Sequence, residues 1–377
     1  MADLAKVQER LGALGREYTA ADVAAVLRGL GGIVTDASVL ATMEGLRRNS
    51  AGAGPLEDLL RLPGVSDVVV NGPGDVFIDR GVGLERAPVT FVDDDQVRRL
   101  AIRLAAAAGR RLDDAQPFVD GRLADGTRLH AVLAPVAMPG TCISLRVPAS
   151  RSFSLADLVR AGSVPDEGAV LLKAMVERKV PFLVTGGTGS GKTTLLAALL
   201  ALVPDSERIV LVEDARELLP DHPHCVRLEA RPANAEQSGG IALADLVRQA
   251  LRMRPDRVVL GEVRGGEITD LLRALNTGHE GGCATVHANS VTDVPARLEA
   301  LAALGGMSRD ACHAQVAAAL RLVVHVRRFP DGRRRVEELG VVTRGEGDRV
   351  AIVPGLRFTA TGVERLAAAP DVEELLC

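Results

Sequence analysis

Of the 45 lysines and arginines in this chain, only Lys6, Lys173, Lys179 and Lys192 are lysines. A chain that takes arginine wherever a positive charge suffices keeps a lysine in an ordered motif where the chemistry asks for one. Lys192 stands in such a motif. Thr185-Gly186-Gly187-Thr188-Gly189-Ser190-Gly191-Lys192-Thr193-Thr194 fits the spacing G-x-x-x-x-G-K-[ST]. Its glycines let the backbone curl so that successive N–H groups point inward at phosphate oxygens. The start of the following helix adds positive potential. In that geometry Lys192 reaches the β- and γ-phosphates and the Thr193 hydroxyl ligates magnesium. Gly186 through Thr194 are therefore the nucleotide-binding candidates, and ATP with Mg²⁺ is the expected cofactor pair. The plain alternative is a turn in a chain with 39 glycines. An apolar strand before the loop, an apolar helix at 195–202 after it and the rare lysine together weigh against that.

A phosphate loop needs carboxylates at neighbouring strand ends, to hold magnesium and to orient the attacking water. Ile209-Val210-Leu211-Val212 ends in Glu213-Asp214, and Arg257-Val258-Val259-Leu260-Gly261 ends in Glu262. Either carboxylate alone reads equally well as a solvated strand-end charge. Two of them ending apolar strands after a phosphate loop favour function, with Glu262 joining Thr193 as a magnesium ligand. Asn276 to Gly282 forms a glycine turn that leads into Cys283-Ala284-Thr285-Val286-His287. A strand ending in His287 could hydrogen-bond the γ-phosphate; a satisfied loop histidine is the blander reading of His279 or His287. His222, His224 and Cys225 lack a fourth ligand at usable spacing, so no structural metal is expected. Arg122, Arg128 and Arg146 read as solvated charges, and residue physics alone does not select them.

These residues need elements to position them. Residues 1–55 read as a helical extension, with a helix at 20–27 capped by Thr19 or Asp22, another at 36–46, and a small, flexible linker at 49–55. Residues 56–150 read as a smaller α+β domain. Val68 to Val70 pairs as a hairpin with Val76 to Asp79, a helix runs from Asp93 to Ala108, and strands follow at 128–133 and 141–146. Residues 151–345 alternate strands at 182–185, 209–213, 258–262 and 283–287 with helices such as 243–252 and 267–276. That alternation predicts α/βunits and a mainly parallel sheet, a RecA-like phosphate-loop domain. Residues 346–377 remain a tail without assigned structure.

Composition narrows the partners. Aromatics are 2% of the chain and Trp is absent, which argues against base stacking as a main activity. A net charge of -4 argues against a general polyanion binder. Nucleic acid is therefore an unlooked-for partner. The apolar runs are too short to span a bilayer, and the first residues carry no signal-peptide pattern. Five scattered cysteines build no disulfide framework, so the cytoplasm is the expected compartment.

Taken together, the motifs resemble the traffic ATPases of secretion, pilus and conjugation machines, and most closely their tight-adherence (Tad) pilus branch, the CpaF-type group. The resemblance covers about 56–345. Arg208 to Glu217 resembles the family's Asp box, Leu251 to Gly265 its Walker B segment, and Gly278 to Ser290 its His box. Val70-Asn71-Gly72 and Asp120 to Arg128 resemble its N-terminal domain signatures. No four-cysteine zinc element is present, which separates the chain from the extension and type II secretion branches. The resemblance implies a homo-hexameric ring with nucleotide held between an N-terminal and a RecA-like domain. It implies Glu213 as the water-activating carboxylate, Glu262 as the Walker B acid and His287 as a γ-phosphate sensor. Arg122, Arg128 and Arg146 become candidates to close over the phosphates. The implied partners are polytopic inner-membrane platform proteins, met by a cytoplasmic protein at the membrane face. Two other readings stay open: a nucleic-acid translocating motor on the same core, and a nucleotide-binding scaffold that does not turn over.

Overall fold

The computed structural model describes residues 6–7, 10–11, 13–14, 18–31, 34–50, 52–81, 83–148, 152–231, 238–278, 281–360 and 362–376. His279, Glu280 and Cys377 lie outside these residues, as do 149–151 in the expected joint between domains. The chain divides into two compact units, Met1–Pro148 and Ala149–Cys377.

In the first unit, α1 (Ala20–Gly29) opens with a reciprocal cap. The Thr19 hydroxyl accepts from the Asp22 N–H, and the Asp22 carboxylate accepts from the Thr19 N–H at 2.8 Å. Helix α2 (Asp36–Ser50) runs further than its sequence periodicity suggests. Within the segment expected to be a linker, residues 49–50 end this helix and 54–56 form a helical turn. Ala53, Gly54 and Leu56 are buried, and Pro55 sits in a helical turn, Gly54–Leu56. Glu57 ties the joint together, accepting from Arg47 and Arg61 at 2.6 Å each and from the Ala53 N–H at 3.2 Å. Small residues that look flexible in sequence are here the ones that let two elements approach.

Strands β1 (Asp67–Asn71), β2 (Val76–Asp79), β3 (Leu84–Arg86), β4 (Phe118–Arg122), β5 (Arg128–Val132) and β6 (Cys142–Arg146) follow. They form an antiparallel sheet in the order β3-β2-β1-β6-β5-β4. Alternation puts Val68 and Val70 of β1 into the core, where α3 (Asp94–Ala107) covers them with Val97, Leu100, Ala101 and Leu104. Asp93 caps α3 by accepting from the Gln96 N–H at 2.8 Å.

The second unit is built on a nine-stranded sheet. Its strands are β7 (Phe182–Thr185), β8 (Ile209–Glu213), β9 (Cys225–Glu229), β10 (Arg257–Val263), β11 (Cys283–Val286), β12 (Leu322–Arg328), β13 (Arg334–Arg344), β14 (Val350–Phe358) and β15 (Val363–Arg365). The order is β15-β14-β13-β12-β7-β11-β10-β8-β9. From β12 to β9 every pairing is parallel, and from β12 out to β15 every pairing is antiparallel. Residues after 345, unplaced by sequence, thus extend the sheet through β14 and β15 and close with a helix, Ala369–Leu376. The central strands carry apolar side chains on both faces, because both faces are covered. Phe182 and Val184 join one core with α4 (Leu155–Arg160), α5 (Asp166–Glu177) and α6 (Lys192–Leu200). Leu183 joins the other, with α7 (Leu243–Ala250), α8 (Ile268–Leu275), α9 (Val294–Leu304) and α10 (Arg309–Ala319).

One buried charge pins the sheet to its helices. Arg257 is 1% exposed; it donates to Glu207 and to the Val176 carbonyl, each at 2.8 Å. Burial alone would push the Glu207 carboxyl up, but Arg257 and Lys179 outweigh it and hold it below its ordinary range.

Candidate functional site

The carboxyl ends of the parallel strands gather the residues that the motifs single out. Strand β7, buried along its whole length between β11 and β12, runs directly into the glycine loop. Gly186 has φ +151°, and a Cβ there would collide with the Val326 carbonyl and the Ser190 hydroxyl. Gly191, at φ +99°, turns the chain into α6 in a conformation that a side chain would strain. The loop's apex, Gly187 to Gly189, is exposed, whereas Ser190 is buried at its base. Helix α6 has no side-chain cap, so its first N–H groups are not taken up by a capping side chain. Its apolar residues from Leu195 to Leu200 are all buried and anchor the loop rigidly to the core.

Lys192 is 6% exposed. Its ammonium donates to the carbonyls of Gly186 and Gly187, both at 3.0 Å, and to His287 Nδ1 at 3.3 Å. Burial lowers its pKa, while Glu262 and Glu217 counteract that. The carbonyls of the loop therefore satisfy the very charge that would serve a phosphate.

His287 lies one residue past β11, next to the loop strand. Its Nε2 is 2.5 Å from Glu262 Oε1, an otherwise buried oxygen. Burial and then Lys192 lower the His287 pKa. The neutral ring, with Nδ1 accepting from Lys192, follows from that arrangement. Glu262 owes its aim to an irregularity of β10. The β10–β11 register shifts between Leu260 and Val263, and Thr285 donates to the Gly261 carbonyl at 2.6 Å across the break. A bulge of this kind re-aims a side chain at a strand end. The other Glu262 oxygen accepts from Arg264 Nε at 2.8 Å and Nη2 at 2.5 Å, and Arg264 also meets Asp214 at 3.5 Å. Nothing in sequence spacing marks Arg264 or Asp214 as members of this network; the parallel β8–β10 register brings the Asp214 end of β8 alongside Glu262.

Glu213 occupies a different position. Strand β8 is three strands from β7, about 14 Å at ordinary strand spacing. The Glu213 side chain is 3% exposed, and its Oε1 accepts the Glu217 and Leu218 N–H groups at 2.9 and 2.8 Å. Its Oε2 lies 3.6 Å from Arg227 and takes no hydrogen bond among the described residues. Burial raises the Glu213 pKa, and the two backbone N–H groups pull against that rise. The carboxylate thus shapes the loop after β8 and keeps its second oxygen buried near Arg227.

Oxygen donors suited to magnesium are present beside the loop. Thr193 stands in the first turn of α6, and the Glu262 carboxylate stands beside Lys192's partner His287. Among the described residues no group of three or more His, Cys, Asp or Glu could hold a metal unaided. This donor set fits a cation that arrives with phosphate oxygens of its own.

The three arginines lie in the first unit and form a row. Arg122 on β4 is the register partner of Arg128 on β5, and Arg128 is that of Arg146 on β6. Directly opposed residues of an antiparallel pair share a face. Asp67, the next member of the row, accepts from Arg146 at 2.9 Å. Separated in sequence, the three guanidinium groups come from one end of one sheet.

A family model described as "Type II/IV secretion system protein" matches residues 49–344. A Mycobacterium tuberculosis protein, provisionally named for conjugal transfer, is 55% identical over 318 residues, which are 83% of this chain and 90% of that protein. The type IV secretion system protein VirB11 of Brucella suis is 31% identical over 297 residues, 72% of this chain and 82% of that protein. Among solved structures, the Yersinia pseudotuberculosis ATPase DotB aligns with a TM-score of 0.56 at 19% identity, over 81% of each chain. That likeness is one of fold, and it agrees with the RecA-like α/β expectation.

Proposed function

Because the chain belongs to the type II/IV secretion system protein family, we propose that it is an ATP hydrolase working as the motor of a secretion or pilus machine. The observation that carries this reading is the contact chain from the phosphate loop to two strand ends: Lys192, His287, Glu262 and Arg264. Each member has a task. The N–H groups from Gly186 to Thr194 and the Lys192 ammonium bind the phosphate tail. On binding, Lys192 exchanges the Gly186 and Gly187 carbonyls for phosphate oxygens. His287, which touches Lys192 directly, registers that exchange and passes it to Glu262. Thr193 and Glu262 would hold magnesium, which would supply charge neutralisation for the transferring phosphoryl group. Glu213, whose buried Oε2 takes no hydrogen bond among the described residues, is the carboxylate that orients and deprotonates water; its raised pKa suits a base. Arg122, Arg128 and Arg146 form a cationic row that closes over the phosphates, from the same chain or from a neighbour, and stabilises transition-state charge.

The working unit is a homo-hexameric ring of the Tad-pilus, CpaF-like kind. It operates in the cytoplasm at the membrane face, against polytopic platform proteins. No helix among the described residues is long and apolar enough to cross a membrane, which suits a motor that borrows its anchor. Loss of γ-phosphate contacts after hydrolysis lets the domains move. A second reading, a conjugation motor that moves nucleic acid, is favoured by one observation: a 55% identical relative is named for conjugal transfer. Phosphate release from the purified full chain with Mg-ATP tests the first claim. Turnover is expected from the wild type and not from Lys192→Ala; equal turnover in both would remove the site. Adding DNA at several salt concentrations separates the readings, since strong, salt-sensitive stimulation supports the conjugation motor.

A further inference from the structure

The phosphate loop has a neighbour that no motif includes. Strand β12 runs parallel to β7 with His325 opposite Thr185, so both chains leave the sheet at the same end. Where β7 enters the loop, β12 continues to Arg328, turns, and returns as β13 from Arg334. The turn is closed by Phe329 N–H donating to the Arg333 carbonyl at 2.8 Å. Phe329 is held between Arg327 and Arg335, whose guanidinium carbons lie 5.4 and 4.9 Å from the ring centre. Those two arginines are also committed to Glu337 at 2.8 Å and Asp331 at 2.6 Å. The hairpin is thereby stiffened at the mouth of the loop.

Arg334 uses this platform. Its Nε donates to the Gly189 carbonyl at 2.8 Å. Its aliphatic stem lies against Gly191, with Cδ 3.4 Å from the place a Cβ would occupy there. Gly189 sits at the exposed apex with φ +68°. In a trans peptide the carbonyl of one residue and the N–H of the next point in opposite directions. Holding the Gly189 carbonyl toward the hairpin therefore turns the Ser190 N–H toward the hollow of the loop. In this structure that N–H makes only a long bond, 3.3 Å, to the Gly187 carbonyl. The remaining guanidinium N–H groups of Arg334 have no partner among the described residues and add positive charge at the same rim.

We propose that Arg334 is a positioning residue for the nucleotide diphosphate moiety, acting through the Gly189 peptide to keep the loop's N–H groups aimed inward. The inference rests on the nucleotide-binding reading above. It predicts a binding effect rather than a chemical one. Arg334→Gln in the full chain weakens binding of a fluorescent ADP about tenfold, the order expected for one pinned hydrogen bond. The KM for ATP rises by more than kcat falls, and Arg334→Lys recovers part of the affinity. Arg328→Gln removes the same charge from the register partner and leaves ADP affinity at the wild-type value. The nucleotide-free unfolding midpoint of Arg334→Gln stays with the wild type. Wild-type ADP affinity in Arg334→Gln would overturn the proposal. So would an equal loss in Arg328→Gln, which would assign the effect to hairpin charge alone, or a drop in the nucleotide-free midpoint that accounts for the weaker binding. Failure of the wild type itself to bind ADP would instead bring down the nucleotide-binding reading and this proposal with it.

Discussion

The arginine row of the first unit and the lysine network of the second are two cationic groups built by opposite means. The row is a product of sheet register. Three strands place Arg122, Arg128 and Arg146 directly across from one another, an arrangement that repels itself in a sheet. Arg146 has a register-matched carboxylate, Asp67. The network is a product of a loop and a bulge. Its single lysine is buried and already served by carbonyls and a histidine. A row of partly exposed, long, permanently charged side chains can adapt to an anion that arrives. A buried ammonium cannot, so its surroundings must be built to exchange partners. Under the proposed function the row tunes rate, while the lysine decides whether nucleotide is held at all.

The most damaging way to break that contrast is Lys192→Ala. Phosphate release is expected to fall by at least about a thousandfold, with loss of nucleotide affinity in the same protein. Arg128→Ala, at the centre of the row, should lower kcat by about a hundredfold while ADP affinity changes far less. Matching losses in affinity for the two variants would erase the distinction drawn here. Glu207→Ala sharpens it from the side of stability. It strands Arg257, which is 1% exposed, and should cost about 3 kcal/mol in urea denaturation without touching either cationic group. The smallest effect concerns pH. Burial holds the pKa values of His287 and His325 below their ordinary value of about 6.5. The unfolded chain then binds protons that the folded one refuses, so stability is full above that value and is lost as pH falls through it toward the folded-state pKa values. Denaturation midpoints at pH 8 and pH 5.5 should differ in that sense, and replacing both histidines with Gln should flatten the difference.

Much of the second unit was legible. Its strands are short apolar runs bounded by glycines and charges, and its loop spacing has a backbone meaning that survives without context. The strand at 182–185 and the helix after it lie where their patterns put them. The end of the chain was not legible. Strands β12 to β15 hold Leu322-Val323-Val324-His325-Val326-Arg327-Arg328 and its partners, a mixed antiparallel edge whose register depends on long-range pairing rather than on local turn signals. The packing at 53–56, inside the segment read as a linker, was hidden for a related reason. Small residues allow flexibility and close packing alike, and burial of Leu56 chose packing. Within the site, Glu262 was visible as an apolar strand's acidic end. Arg264 was invisible as a member of its network, because the parallel β8–β10 register is what brings the Asp214 end of β8 alongside Glu262.

Local chemistry was thus written into residue types: a lysine kept in an arginine-rich chain, glycines where a Cβ would collide or strain the backbone, acids closing apolar strands. Those features depend on neighbours a few positions away, where the chain's own geometry suffices. Which guanidinium groups share a row, which oxygen of Glu262 meets His287 and which arginine braces the loop apex depended on strands far apart in sequence. Such pairings are set by the burial of whole faces and by the register that burial selects, and no local spacing carries that information.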